Sequence, residues 1–118
     1  MITETVHLRE IAYARSGDKG NNANIGVIAY CKEGYEFLKD HLTGEEVGYF
    51  FRHLGVVETI RYELPNIGAL NFILKGALNG GGSRSLRVDA QGKALGQALL
   101  EMELRVPEKI LCHCRRTR

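Results

Sequence analysis

The chain has 118 residues, 44% of them hydrophobic and 25% charged, with 16 basic and 14 acidic side chains and a net charge of +2. That is enough for one domain, residues 1–118, burying a core without metal or disulfide staples, and the composition excludes disordered and low-complexity classes. Arg115, Arg116 and Arg118 supply three of the positives, so the body is near neutral and lacks the basic face that nucleic-acid binding uses, and the longest apolar run, 25–31, falls far short of the roughly 20 residues of a membrane span.

In chain order, residues 6–14 read as a strand whose apolar positions shift from Val6 and Leu8 to Ile11 and Tyr13, a parity change that predicts a bulge. Residues 16–24 hold two Gly, three Asn, one Ser, one Asp and one Lys and read as a polar turn longer than a hairpin needs. Residues 24–31 are almost continuously apolar and fit a central strand pairing antiparallel with the first. Tyr35, Leu38 and Leu42 have helical spacing. Thr43-Gly-Glu-Glu46 is a capping box for a second helix with a buried stripe of Val47, Phe50, Phe51 and Leu54, stopped by Gly55.

Residues 56–64 alternate, with Ile60, Tyr62 and Leu64 on one face and Thr59, Arg61 and Glu63 on the other. Pro65 breaks that strand. Asn66 then caps a third helix with Ile67, Leu70, Ile73, Leu74 and Ala77 on its apolar side and Asn71 within it. Residues 79–83 form a second glycine-rich turn and 84–89 a short strand. Asp89 caps a last helix with Leu95, Ala98, Leu99 and Met102 buried. Gly92 and Gly96, four apart, call for tight packing or a ligand against that helix, since each costs about 1 kcal/mol relative to Ala.

Pro107 ends the regular structure, with the core at 6–104 and a basic tail at 105–118 that is irregular or, from Glu108, a short edge strand. The cysteines Cys31, Cys112 and Cys114, an odd number without a secretory signal, point to reduced thiols in a cytoplasmic protein. Cys112-His113-Cys114 has no second ligand pair at zinc-site spacing, so neither a metal nor a cofactor is expected.

These elements make an α+β domain with a mixed sheet of about four strands and helices mainly on one face. A bare opposite face would be covered by dimerisation, with Arg61, Glu63 and Arg87 as its rim, so a homo-oligomer is expected. The 16–24 turn lacks a Walker ending and leads into a strand. Two readings of it stand: Ser16, Asp18, Lys19, Asn21 and Asn24 cradle a small anion, or they hydrogen-bond their own backbone to hold the bend. Ser83, Arg84 and Arg87 likewise suit a carboxylate or phosphate, or are a solvated connection. Both loops form one site if they lie at the same end of the sheet. Asp18 with Lys19 is the one acid–base pair offered for catalysis, since His7, His41, His53 and His113 are scattered.

Arg15-Ser-Gly-Asp-Lys-Gly20, Ala23-Asn-Ile-Gly26, Arg61-Tyr-Glu-Leu-Pro-Asn66, Ala69-Leu-Asn-Phe72, Gly80-Gly-Gly82, Ser85-Leu-Arg87 and Asp89-Ala-Gln-Gly-Lys93 resemble the AtuA-like ferredoxin-fold domain in content and order. That domain occurs at the carboxy-terminal end of acyclic terpene utilisation protein AtuA and as a small free-standing chain. The resemblance implies a ferredoxin-like two-layer sandwich and a link to bacterial acyl-CoA and terpenoid catabolism. It also implies a partner protein resembling the missing amino-terminal part of AtuA. It supplies no catalytic residue, and "ferredoxin-like" describes a shape, since the cysteines lack cluster spacing. The expected function is an accessory module that self-associates and binds a small anionic ligand or a partner protein. The alternative is an enzyme or enzyme subunit acting on a carboxylated or acyl-CoA substrate with Asp18 and Lys19 in the site.

Overall fold

The computed structural model describes residues 2–19, 22–76 and 91–114, and only the backbone of Asp18, Lys19 and residues 91–94. Thr3–His7 form β1, Ala12–Lys19 β2 and Asn22–Ala29 β3. The single strand expected over 6–14 is instead two strands separated by a 3-10 turn at Leu8–Glu10. The parity change arises from that turn, where the Glu10 carboxylate accepts from the His7 N–H at 3.1 Å.

The expected polar turn over 16–24 is also corrected. β2 and β3 pair antiparallel from Ala12 opposite Ala29 to Lys19 opposite Asn22, so most of that stretch is hairpin ladder. Backbone groups satisfied by the neighbouring strand need no loop, and alternation lets Ala23, Ile25 and Val27 face inward while Asn24 and Gly26 face outward.

Lys32–His41 form α1, begun by Cys31, whose Sγ accepts from the Gly34 N–H at 3.4 Å. Gly44–Phe50 form α2, capped by Thr43, whose Oγ1 accepts from the Glu46 N–H at 3.1 Å. Arg52–Leu54 add a 3-10 turn, and Gly55, at φ 77°, ends it as anticipated. Glu58–Leu64 form β4 and Ala69–Lys75 form β5, joined by a 3-10 turn at Pro65–Ile67 and Gly68 at φ 64°.

The third helix expected over 66–77 is therefore a strand, and Leu64 rather than Asn66 precedes the short turn. Adjacent Ile73 and Leu74 let the segment fit a helical period, yet Leu70, Phe72 and Leu74 also alternate. They are buried opposite Val27, Ile25 and Ala23 of β3. Long-range pairing selected the period of two.

The main sheet has the order β2-β3-β5-β4, and every described pairing in it is antiparallel where a mixed sheet was expected. Short connections within each hairpin enforce that direction. Gln91–Leu99 form α3, which lies against β2 and buries Leu95 and Leu99 but leaves Ala98 exposed.

Glu103–Pro107 form β6, which pairs with β1 as a separate two-stranded ribbon, and Glu108–Cys114 form α4. The tail expected to be irregular is thus structured through Cys114. Pro107 introduces the helix rather than ending structure, and the Glu108 N–H donates to the Ile2 carbonyl at 3.0 Å. The two-layer α+β expectation holds: the described helices lie on one face of the four-stranded sheet over a core that includes Phe51, Phe72, Leu38 and Leu99. Residues 79–89, read from sequence as a turn and a short strand, lie outside the described residues.

The reduced-thiol expectation for Cys31 and Cys114 is overturned. They form a disulfide, with Cα atoms 5.4 Å apart at a sequence separation of 83, while Cys112 is free and exposed. The link joins the start of α1 to the end of α4, which pack together. Closing so long a loop restricts the unfolded chain, so Cys31→Ser with Cys114→Ser is expected to lower the unfolding free energy by about 2–4 kcal/mol. Urea denaturation without reductant measures this, and wild type with reductant should match the variant.

Candidate functional site

Because β2, β3, β5 and β4 pair in register, residues opposite one another share a face. Ala23, Ile25, Val27, Leu70, Phe72 and Leu74 face the helices. Among the described residues no helix covers the opposite face; by alternation it carries a row at the hairpin end, Asn22 with the Lys75–Glu58 pair, and three further rows across the strands. Gly17, Asn24, Ile73 and Ile60 form the first, Arg15, Gly26, Asn71 and Tyr62 the second, and Tyr13, Ile28, Ala69 and Leu64 the third. Tyr13, Tyr62 and Leu64 are 44%, 51% and 41% exposed. Ile28, Ile60 and Ile73 are half-buried by their neighbours yet none belongs to the core cluster on the opposite side.

The middle of this face is polar and low. A Cβ placed on Gly17 would lie 3.5 Å from Asn24 Oδ1, and one on Gly26 would lie 3.8 Å from both Asn71 Oδ1 and the Arg15 carbonyl. The two glycines therefore leave a shallow hollow bordered by the Asn24 and Asn71 carboxamides, with exposed Arg15 beside it. Tyr13 stacks on Tyr30 at a centroid distance of 5.8 Å at one corner. Aromatic and aliphatic side chains around donors and acceptors that can bond either way suit a protein surface or a flat ligand.

The residues singled out from sequence separate. Ser16 lies on the helix side of β2, where its Oγ accepts from the Gly96 N–H at 3.0 Å. Asp18 and Lys19 are consecutive ladder positions opposite Ala23 and Asn22; their side chains are outside the described residues. Asn24 is exposed on the open face. Asn21, Ser83, Arg84 and Arg87 also lie outside the described residues, as does any meeting of the two glycine-rich stretches. Asn22, at the hairpin end, uses Oδ1 to accept from the Gly76 N–H at 3.1 Å, tying β3 to the end of β5.

The expected rim is corrected too. β4 turns Thr59, Arg61 and Glu63 toward the helices, because they stand opposite Leu74, Phe72 and Leu70. Arg61 donates to the carbonyls of Lys39 at 2.8 Å and Leu42 at 3.0 Å, and to the Glu63 carboxylate at 3.1 Å. The last carbonyls of α1 lack helical partners, and a guanidinium satisfies them in place of further helix. The register with β5 puts that half of β4 on the helix side, with Glu63 still exposed, and its apolar half on the other face. The surface of Tyr13, Ile28, Asn71 and Ile73 was missed because 69–75 was read with the helical period; the alternation of Leu70, Phe72 and Leu74 was the signal.

Concavities also lie among the described residues on the helix side. A cleft of about 680 Å³ runs between α1, β6 and α4, with Phe37 stacked on His41 at 4.2 Å and Glu33, Glu36, Asp40 and Arg105 around it. Nearby, a hydrogen bond from Lys39 to Glu36, and the charge of that carboxylate, hold the Lys39 amine above its ordinary value. A smaller cleft of about 460 Å³ lies between α2 and β4, lined in part by Gly48, Tyr49, Thr59 and Arg61. The sulfurs of Cys31 and Cys114 lie within 4.8 Å of a Glu33 carboxylate oxygen, but they are joined to each other.

Gly96 meets the need for close packing read from sequence. A Cβ there would come within 2.9 Å of Ser16 Oγ and 3.2 Å of Ser16 Cβ. Gly96→Ala is expected to destabilise the fold by about 1–3 kcal/mol through overpacking, offset by the roughly 1 kcal/mol of helix propensity that Ala regains, and adding Ser16→Ala should recover part of the packing loss. Urea unfolding of the two single variants and the double variant gives the coupling; additive losses would mean that Ser16 does not pack as described.

A family model for the AtuA ferredoxin-like domain matches residues 6–105. No curated protein and no solved structure matches the chain. The match spans nearly the whole described fold, including every strand of the open face, and the chain belongs to the AtuA ferredoxin-like domain family.

Proposed function

We propose that this chain is an accessory binding module of acyl-CoA or terpenoid catabolism that works through the helix-free face of its sheet and uses it to contact protein. The observation that carries this reading is the composition of that face: exposed Tyr13, Tyr62 and Leu64 share it with the carboxamides of Asn24 and Asn71 and with Arg15 on the edge strand. Interface cores are enriched in Tyr and Arg and depleted in Lys, Glu and Asp, and the three rows away from the Lys75–Glu58 edge follow that pattern. The family membership supports the pathway.

Tyrosine nitration tests the contact reading. In a concentrated extract of cells producing the chain, Tyr13 and Tyr62 should react more slowly than in dilute purified protein. Tyr49, 65% exposed on α2, serves as the control and should react equally in both. Equal rates for Tyr62 in the two samples would overturn the reading.

The module also takes up a small anion, such as a carboxylate or CoA thioester, at the β2–β3 hairpin end where Lys19 lies. Thermal unfolding with CoA esters and simple carboxylates at about millimolar concentration should raise the melting temperature, and Lys19→Ala should abolish that rise. No shift with any of these ligands removes this part of the proposal.

A further inference from the structure

The three rows of the open face beyond its Lys75–Glu58 edge have an internal order that bears on what covers it. In each row the β2 and β3 positions stand on one side of the sheet's midline and the β5 and β4 positions on the other. A two-fold axis parallel to the strands, passing between β3 and β5, lays each row of one copy over the same row of another in reverse. Gly17 then lies under Ile60 of the partner subunit, Gly26 under the partner's Asn71, and Arg15 under the partner's Tyr62.

The sizes match: each glycine hollow receives a larger side chain, and a guanidinium meets an aromatic ring. We infer that a second copy of this chain covers the helix-free face, face to face about this axis, with Asn71 of each copy seated in the Gly26 hollow of the other. This rests on the proposed reading of the face as a contact surface and names its occupant.

Charge and area agree with this assignment. The edge carboxylate Glu58 is paired with Lys75 of the same chain at 3.7 Å, so two copies meet without a like-charge row at that edge. Four strands about 4.8 Å apart and seven residues long at about 3.3 Å each give a face of roughly 20 by 23 Å. Two such faces bury on the order of 1,000 Å², the lower bound of a specific interface. The carboxamide of Asn71 can both donate and accept, so the same group serves both copies of a symmetric contact.

Sedimentation equilibrium of the full chain between about 1 and 200 µM tests the inference, with circular dichroism melts confirming that each variant folds. Wild type should dimerise. Ile60→Asp, at a half-exposed position, should yield a monomer with an unchanged melt. Gly26→Asn fills the hollow and should weaken dimerisation about tenfold or more. Gly26→Asn combined with Asn71→Gly exchanges knob and hole within one row, and should return the dissociation constant to within about threefold of wild type.

A double variant no tighter than Gly26→Asn alone overturns the register, in which position 26 of one copy faces position 71 of the other. A dimer that survives Ile60→Asp uses another surface, which overturns this inference together with the contact reading. A wild type that stays monomeric overturns the inference alone: tyrosine protection in the extract would then identify a different protein on the same face.

Discussion

The antiparallel pairing of β3 with β5, which sets Ile25 opposite Phe72 and Val27 opposite Leu70, is the constraint on which the rest of the molecule depends. It joins two hairpins into one sheet and gathers their large apolar side chains beneath the helices. Side chains alternate along a strand, so the same register sends Asn24, Gly26, Ile28, Asn71 and Ile73 to the other face. A slip of one residue would exchange the two sets. The core and the open surface are therefore two consequences of one pairing.

β4 shows how far that constraint reaches. Taken alone, its apolar residues Ile60, Tyr62 and Leu64 look like the buried half. Once β5 fixes its register, Thr59, Arg61 and Glu63 lie under the helices, and Arg61 completes the carbonyls at the end of α1. A charged group is tolerated there because it is hydrogen-bonded on several sides. The displaced apolar half then enlarges the open face, linking a helix-capping requirement to the surface available for binding.

The polar motif between Arg15 and Val27 is divided by the same alternation. Ser16 packs against Gly96 of α3, Asn22 holds the end of β5, and Asn24 and Arg15 belong to the open face. One short stretch thus supplies a helix-packing contact, a tie between strands and part of a surface. Its density of Gly and Asn reflects close approach and hydrogen bonding within a sheet, where small and amide-bearing side chains fit between neighbouring strands.

From sequence alone the α+β class, the α1 and α2 stripes, the Thr43 cap, the Gly55 stop, the antiparallel β2–β3 pair and the family were legible. Each rests on local chemistry: periodicity, capping side chains, backbone freedom or motif order. Only the tertiary structure decided that 69–75 is a strand, that Arg61 points inward, that residues 103–114 are ordered as strand and helix, and that Cys31 meets Cys114. A run such as Ala69 to Lys75 satisfies two periods at once, and a cysteine 83 positions from its partner carries no local mark. Those outcomes depend on which distant segment supplies the matching hydrogen bonds and apolar surface, and that is settled only when the chain folds back on itself.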